Sequence, residues 1–258
     1  MSADSVHPEV LAGLAAAAGG WLWACISRGQ RPSSGAALAF PVGLLALAVA
    51  TNGPLHDLAE RSRFSAHMGQ HLLLTLIAPP ALLAGLPAWM VDPWLSILVR
   101  RPVVGRSLRF LTRPLPALAI YSVALVGWHL PRPFNMALQA PAWHALEHLT
   151  LLAAAVLGWW PVLSPSRYLP ALPYGGQILY LFVFGMPMTV VAAMVTGAEQ
   201  PLYHFYVEAS RRAGLDALAD QRLGGILMWV PAGVVPVVAF TVVFFRWAAA
   251  EEDVAFPK

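Results

Sequence analysis

Apolar runs long enough to cross a lipid bilayer recur along this chain of 258 residues, and they limit its fold more than any motif does. A helical span takes about 20 mostly apolar residues. Seven segments qualify, at roughly 8–27, 35–52, 66–88, 114–130, 143–163, 174–197 and 222–247. Charged residues make up only 11% of the chain, against about 25% in an ordinary soluble domain. Inside lipid every backbone polar group needs an internal partner, which helices of this length provide. The expected fold is all-α: a polytopic membrane protein with a seven-transmembrane-helix bundle, forming one integral membrane domain over 1–258. Pro79 and Pro80 in the third span and Pro187 in the sixth predict kinks. Segment 89–113 mixes Trp, Leu and Phe with five arginines, and reads either as an amphipathic segment in the interface or as a basic loop.

Orientation follows from the loop cations. With the N-terminus outside, ten Lys and Arg residues fall on the inner side, Arg100, Arg101, Arg106, Arg109 and Arg113 among them, and six on the outer. That bias predicts the N-terminus outside and the C-terminus inside. The opening MSADSVHPEV has no Lys or Arg ahead of the first apolar run, so no cleaved signal is expected and the run stays as a span. No basic cluster resembles a nucleic-acid footprint; the lipid bilayer is the expected surrounding.

This topology places all eight histidines at or near one side of the membrane. HMGQH opens span three and HALEH opens span five, each an i, i+4 pair on one helical face. His129 closes span four and leads directly into span five. His67, His71, His129, His144 and His148 therefore form the candidate metal-ligating set, since ionisable groups at membrane depth are costly and point to function. His7, His56 and His204 read as interfacial histidines bonded to water or carbonyls. Asp57 and Glu60 lie just before span three and read first as solvated loop charges, with orientation of a ligating imidazole as the alternative. Glu147 reads as a supporting or helix-start acid. Met194, near the outer end of span six, is the best-placed thioether for Cu(I). The single cysteine, Cys25, excludes an internal disulfide and a thiolate-rich site.

Imidazole ligation without thiolate suits copper, zinc, iron or nickel. Three chemistries remain open on the residues alone: metal handling on the outer side, a haem- or metal-dependent membrane oxidoreductase, and an intramembrane metallopeptidase using His144, Glu147 and His148. The last would follow the H-x-x-E-H order.

Four blocks, SAHMGQHLLLTLIAPPALLAGLP, GWHLPRPFNMAL, HALEHLTLLAAAVLGWWPVL and DQRLGGILMWVPAG, occur in that order. Together they resemble the CtaG-type family of polytopic cytochrome c oxidase assembly proteins, over about residues 55 to 245. The resemblance implies a non-enzymatic assembly factor in the bacterial inner (plasma) membrane. It would bind copper on the periplasmic or outer face and hand it to a cytochrome c oxidase subunit. It also implies that the five histidines occupy the family's histidine motifs, and that Asp220 and Gln221 occupy its D-Q motif at the start of span seven. Asp220 would then tune the site, and Gly224–Gly225 would pack span seven against its neighbours. A separate, single-span copper-insertion protein that shares the name carries a cysteine pair, which this chain lacks.

Overall fold

The computed structural model describes residues 6–255. The start of MSADSVHPEV and Lys258, one of the cations counted as inside, lie outside the described residues. Fourteen α-helices are found among the described residues, and no strand. They are α1 (Pro8–Arg28), α2 (Ser34–Thr51), α3 (Pro54–Arg61), α4 (Phe64–Leu72), α5 (Ala78–Ala84), α6 (Ala88–Arg100) and α7 (Pro102–Leu111). There follow α8 (Pro114–His129), α9 (Pro131–Gln139), α10 (Pro141–Leu163), α11 (Tyr174–Phe184), α12 (Met186–Gly197), α13 (His204–Arg212) and α14 (Ala217–Ala255). Proline starts α1, α3, α7, α8, α9 and α10. Its fixed φ suits the first helical turn, where its missing N–H leaves no carbonyl unserved.

Six helical segments are long and apolar enough to cross a membrane: Pro8–Arg28, Ser34–Arg61, Phe64–Gly85, Pro141–Leu163, Tyr174–Gly197 and Ala217–Glu252. A seventh is reached when α7 and α8, bent by 72° at their junction, count as one span. The chain is thus an all-α polytopic membrane protein, as its apolar runs predict. The last span extends beyond the expected 222–247, to Glu252. Segment 89–113 forms α6 and α7 rather than an irregular loop. Trp94, Ile97, Val103 and Phe110 on these two helices are exposed, alongside the arginines. Asp92 holds α6 to the loop after α10, accepting from Ser166 Oγ at 2.7 Å.

The prolines of span three leave a local rearrangement instead of a break. Leu73–Ile77 form a π-helical turn between α4 and α5. Pro79 carries no N–H for the Thr75 carbonyl four residues earlier. The Trp159 indole N–H of α10 fills that place at 2.9 Å. Thr75 Oγ1 in turn donates to the His71 carbonyl at 2.6 Å. The irregular turn therefore sits directly beneath His71 and is bonded to it.

Close packing positions α14. A Cβ on Gly224 would stand 2.5 Å from the Phe64 ring, and one on Gly225 would collide with Thr196. Only glycine lets α14 lie this close to α4 and α12, which is the packing role expected of the pair. In one half of the bundle the core is apolar, built on Tyr121, Trp159, Tyr180 and Phe184. Buried polar residues gather at the opposite end, and they include His56, Ser65, His67, Gln70, His71, His129, His144, Glu147, Asp220 and Gln221.

Candidate metal centre

Two histidines on α4 set the geometry. His67 and His71 are one turn apart and completely buried, with their Nε2 atoms 2.9 Å from each other. Their helix is held at its first turn by a side chain from the far end of the sequence. The Asp220 carboxylate, at the start of α14, accepts from the Phe64 N–H at 2.7 Å and the Ser65 hydroxyl at 2.5 Å. It thereby supplies the acceptor that an unassisted helix N-terminus lacks, and adds negative charge where the helix dipole favours it. Gln221 accepts from the Leu202 N–H at 2.7 Å and donates to the Val195 carbonyl at 3.1 Å. The D-Q pair therefore ties α14 to α4 and to the segment leading into α13.

From α10, Glu147 and His148 complete the group. Ligand atoms from His67, His71, Glu147 and His148 all lie within 4.8 Å of one another. The Glu147 carboxylate oxygens stand 3.5 Å from His71 Nε2 and 3.7 Å from His67 Nε2. Both oxygens are buried and make no hydrogen bond, and the same holds for Nε2 of His144 and of His148. Buried polar atoms are almost always partnered, so four such atoms in one place mark a site built for something other than packing.

A chain of five polar contacts runs through the site. It passes from the Ala59 carbonyl to Tyr206 Oη (2.6 Å), on to His67 Nδ1 (2.9 Å), from His67 Nε2 to His71 Nε2 (2.9 Å), from His71 Nδ1 to His129 Nε2 (3.1 Å), and from His129 Nδ1 to the Leu125 carbonyl (2.7 Å). Carbonyls at both ends only accept. One phenol and three neutral imidazoles bring four protons to five contacts. Tyr206 stays a phenol: burial, aided by the charges of Glu147, Asp220 and Glu60, pushes it well above the usual tyrosine value. When Tyr206 donates to Ala59, the remaining donors run His67 Nδ1–H to Tyr206, His71 Nδ1–H to His129, and His129 Nδ1–H to Leu125. The Nε2 lone pairs of His67 and His71 then face each other beside a carboxylate. The chain is short of one positive charge at that point.

His129 stands behind His71 as its hydrogen-bond partner, and is itself fixed by Leu125 and by Tyr203, whose hydroxyl donates to the His129 carbonyl at 2.8 Å. His144 lies with its ring centroid 4.2 Å from that of His148 and 5.1 Å from that of His67, and its Nδ1 is 3.1 Å from Glu60 Oε1. All five expected histidines thus come together. Glu147, expected as a supporting or helix-start acid, stands among the candidate ligands. Asp57 faces Arg61 at 3.9 Å and Met194 is 37% exposed on α12; neither enters the group.

Sequence reasoning did not bring in Tyr206, Tyr203, His7 or His56. His56 Nε2 is 2.9 Å from His7 Nε2 and 3.4 Å from Glu60 Oε1, and the His56 ring stacks at 6.2 Å on His144. Seven of the eight histidines consequently form one connected set. His204 lies apart, in a surface groove with Arg132, Asn135 and Phe205. The i, i+4 rule recovers the two pairs. His7 sits at a helix end, and His56 lies on the short α3, which carries the second span on past Gly53, whose φ of +78° favours glycine.

The family model for the cytochrome c oxidase caa3 assembly factor matches residues 19–250. The chain belongs to that family. Two curated relatives, uncharacterised proteins of Mycobacterium bovis and Mycobacterium tuberculosis, are each 25% identical over 250 residues, covering 88% of this chain and 36% of the relative. The chain thus spans about a third of the length of these curated relatives. No solved structure matches it.

Proposed function

We propose that this member of the caa3 assembly-factor family binds a copper ion between His67, His71, Glu147 and His148 and passes it to a cytochrome c oxidase subunit during assembly. The observation that carries this is the missing positive charge between two facing imidazole lone pairs beside an unpartnered carboxylate. A metal ion supplies that charge and takes the lone pairs as ligands. Three imidazoles and a carboxylate suit Cu(II) as well as the other borderline metals, and imidazole also serves Cu(I). His129, Tyr206 and Asp220 do not touch the ion; they hold the imidazoles in the tautomer and orientation that expose Nε2. His144 adds a further Nε2 at the edge of the group. The protein acts by ligand exchange without catalytic turnover, in the bacterial plasma membrane, with the histidine end facing outward as the arginine distribution favours. Contact between the imidazole rings, with centroids 4.4 to 5.6 Å apart among His67, His71 and His148, favours a single ion over a porphyrin.

The test is elemental analysis and an absorption spectrum of the purified full chain after copper loading and gel filtration. One retained equivalent is expected, lost in His71→Asn and in His148→Asn. Copper retention equal to wild type in both variants, or a Soret band that co-purifies with the protein, would overturn the reading.

A further inference from the structure

The buried group has to exchange its ion with the outside, and it is sealed: His67, His71 and Glu147 are wholly inaccessible. A cavity of about 310 Å³ reaches it at His148, whereas a smaller one of about 190 Å³ touches His144 and Glu60 but none of the four candidate ligands. The walls of the larger cavity come from the start of α1, the end of α2, α3 and the start of α10, and include Val10, Leu14, Leu47, Glu60, His144 and His148. The mouth is acidic and open. Side-chain exposure is 69% for Glu9 and 41% for Glu60. At the inner end are two imidazole nitrogens, Nε2 of His144 and Nε2 of His148, buried and unpartnered. His144 as a whole is only 7% exposed.

We infer that this cavity is the port through which the metal ion enters and leaves, with His144, oriented by Glu60, as the transfer ligand between the acidic mouth and the buried group. This rests on the metal reading of that group. Glu60 Oε1 accepts from His144 Nδ1–H at 3.1 Å, which leaves the lone pair on Nε2. That is the carboxylate–imidazole arrangement by which a ligating histidine is held in one tautomer. The His144 ring touches the rings of both His148 and His67, so an ion on its Nε2 is beside its next ligands.

The neighbouring histidines fix the mouth. Gln70 Nε2–H donates to His56 Nδ1 at 3.1 Å, so the His56 proton is on Nε2 and is given to His7 Nε2 at 2.9 Å. His7 Nδ1–H is given to Glu9 at 3.2 Å. Every contact here has its proton, in contrast to the inner chain, where the contact between His67 Nε2 and His71 Nε2 has none. The outer histidines are a scaffold that holds the two acids at the entrance, and the first unsatisfied ligand an incoming ion meets is His144.

The experiment follows copper exchange in the full chain in lipid nanodiscs by stopped flow, with loading from the cationic Cu(I)–acetonitrile complex read by tryptophan quenching, release read by capture in bicinchoninate, and equilibrium affinity measured in parallel. Val10→Trp fills the cavity wall away from any ligand. It should slow loading and release together, by about tenfold or more, and leave the affinity in place. Glu60→Gln should slow loading by about tenfold and flatten its dependence on ionic strength, because an acidic funnel raises the arrival rate of a cation by 10-fold or more; Glu60→Asp should restore part of both. Wild-type rates in Val10→Trp and in Glu60→Gln, with copper still bound, would overturn the port and leave the buried site standing. A wild-type chain that retains no copper would overturn the buried site, and the port with it.

Discussion

Removing one oxygen, in Tyr206→Phe, tests the proton accounting directly. The Tyr206 hydroxyl donates to the Ala59 carbonyl at 2.6 Å and receives His67 Nδ1 at 2.9 Å. Ala59 and His67 are both fully buried. The variant leaves a carbonyl near the end of α3 and an imidazole N–H without partners. Each unsatisfied buried group costs about 1–3 kcal/mol, and partial relaxation puts the sum at about 2–4 kcal/mol. In a chain of this size that corresponds to a fall in Tm of roughly 5–10 °C. Copper affinity should fall separately, by about 10–100-fold, because His67 is no longer held with its lone pair on Nε2.

Tyr203→Phe is the matched control. Its hydroxyl also makes a buried bond, to the His129 carbonyl at 2.8 Å. That bond orients no tautomer at the ion. The control should lose about 1–2 kcal/mol of stability and keep its affinity within about threefold. Thermal unfolding read by a tryptophan signal, and chelator competition, give the two quantities. Equal loss of affinity in both variants, or none in Tyr206→Phe, would refute the assignment of protons along the chain.

Three further outcomes follow from the same geometry. Glu147→Gln should unfold at the same temperature as wild type or a higher one without metal, since it removes a buried carboxylate with no hydrogen bond; it should also lose the rise in Tm that copper gives wild type, and a marked drop in metal-free Tm would contradict this. Asp220→Ala touches no candidate ligand, yet it should cost about 2–3 kcal/mol by stripping the cap from α4 and lower copper retention, as read by unfolding and elemental analysis of the same sample. Gly224→Ala should lower stability by about 1–3 kcal/mol, because the new methyl group would stand 2.5 Å from the Phe64 ring; an unchanged Tm would mean that α14 does not pack there.

What the sequence made legible was whatever a single helix encodes. Apolar length marks the spans, and the spacing of His67 with His71 and of His144 with His148 puts each pair on one face. What it hid depends on how helices rotate against each other. Glu147 lies about 100° around α10 from His148, so a modest turn of that helix decides between ligand and surface acid. Packing against α4 turns it inward. Tyr206 is in a polar stretch between spans, where an aromatic ring ordinarily marks the interface. Only the return of α13 over α4 makes it the partner of His67. The seventh span is weakly marked for a related reason: α8 alone, 16 residues, is short for a crossing, and its apolar length is completed only by α7 across a sharp bend.

A contrast between two neighbouring sets of histidines gives the end of this bundle a direction. In the outer set, each imidazole proton has an acceptor and each ring nitrogen of His56 and His7 has a partner, from Gln70 Nε2 through to Glu9. In the inner set, five contacts share four protons and a carboxylate stands unpartnered. Unsatisfied polar groups raise the energy of a buried site and make it a stronger binder of whatever satisfies them. A core shaped only for stability would place apolar side chains here, as the opposite half of the bundle does with Tyr121, Trp159 and Phe184. A cation entering past the outer set therefore runs from groups already content with their partners to groups that lack one. It should stay at the inner set until an acceptor protein offers ligands of its own. That ordering is what a carrier needs, since an equally hungry outer set would hold the ion at the mouth and a satisfied inner set would never draw it in.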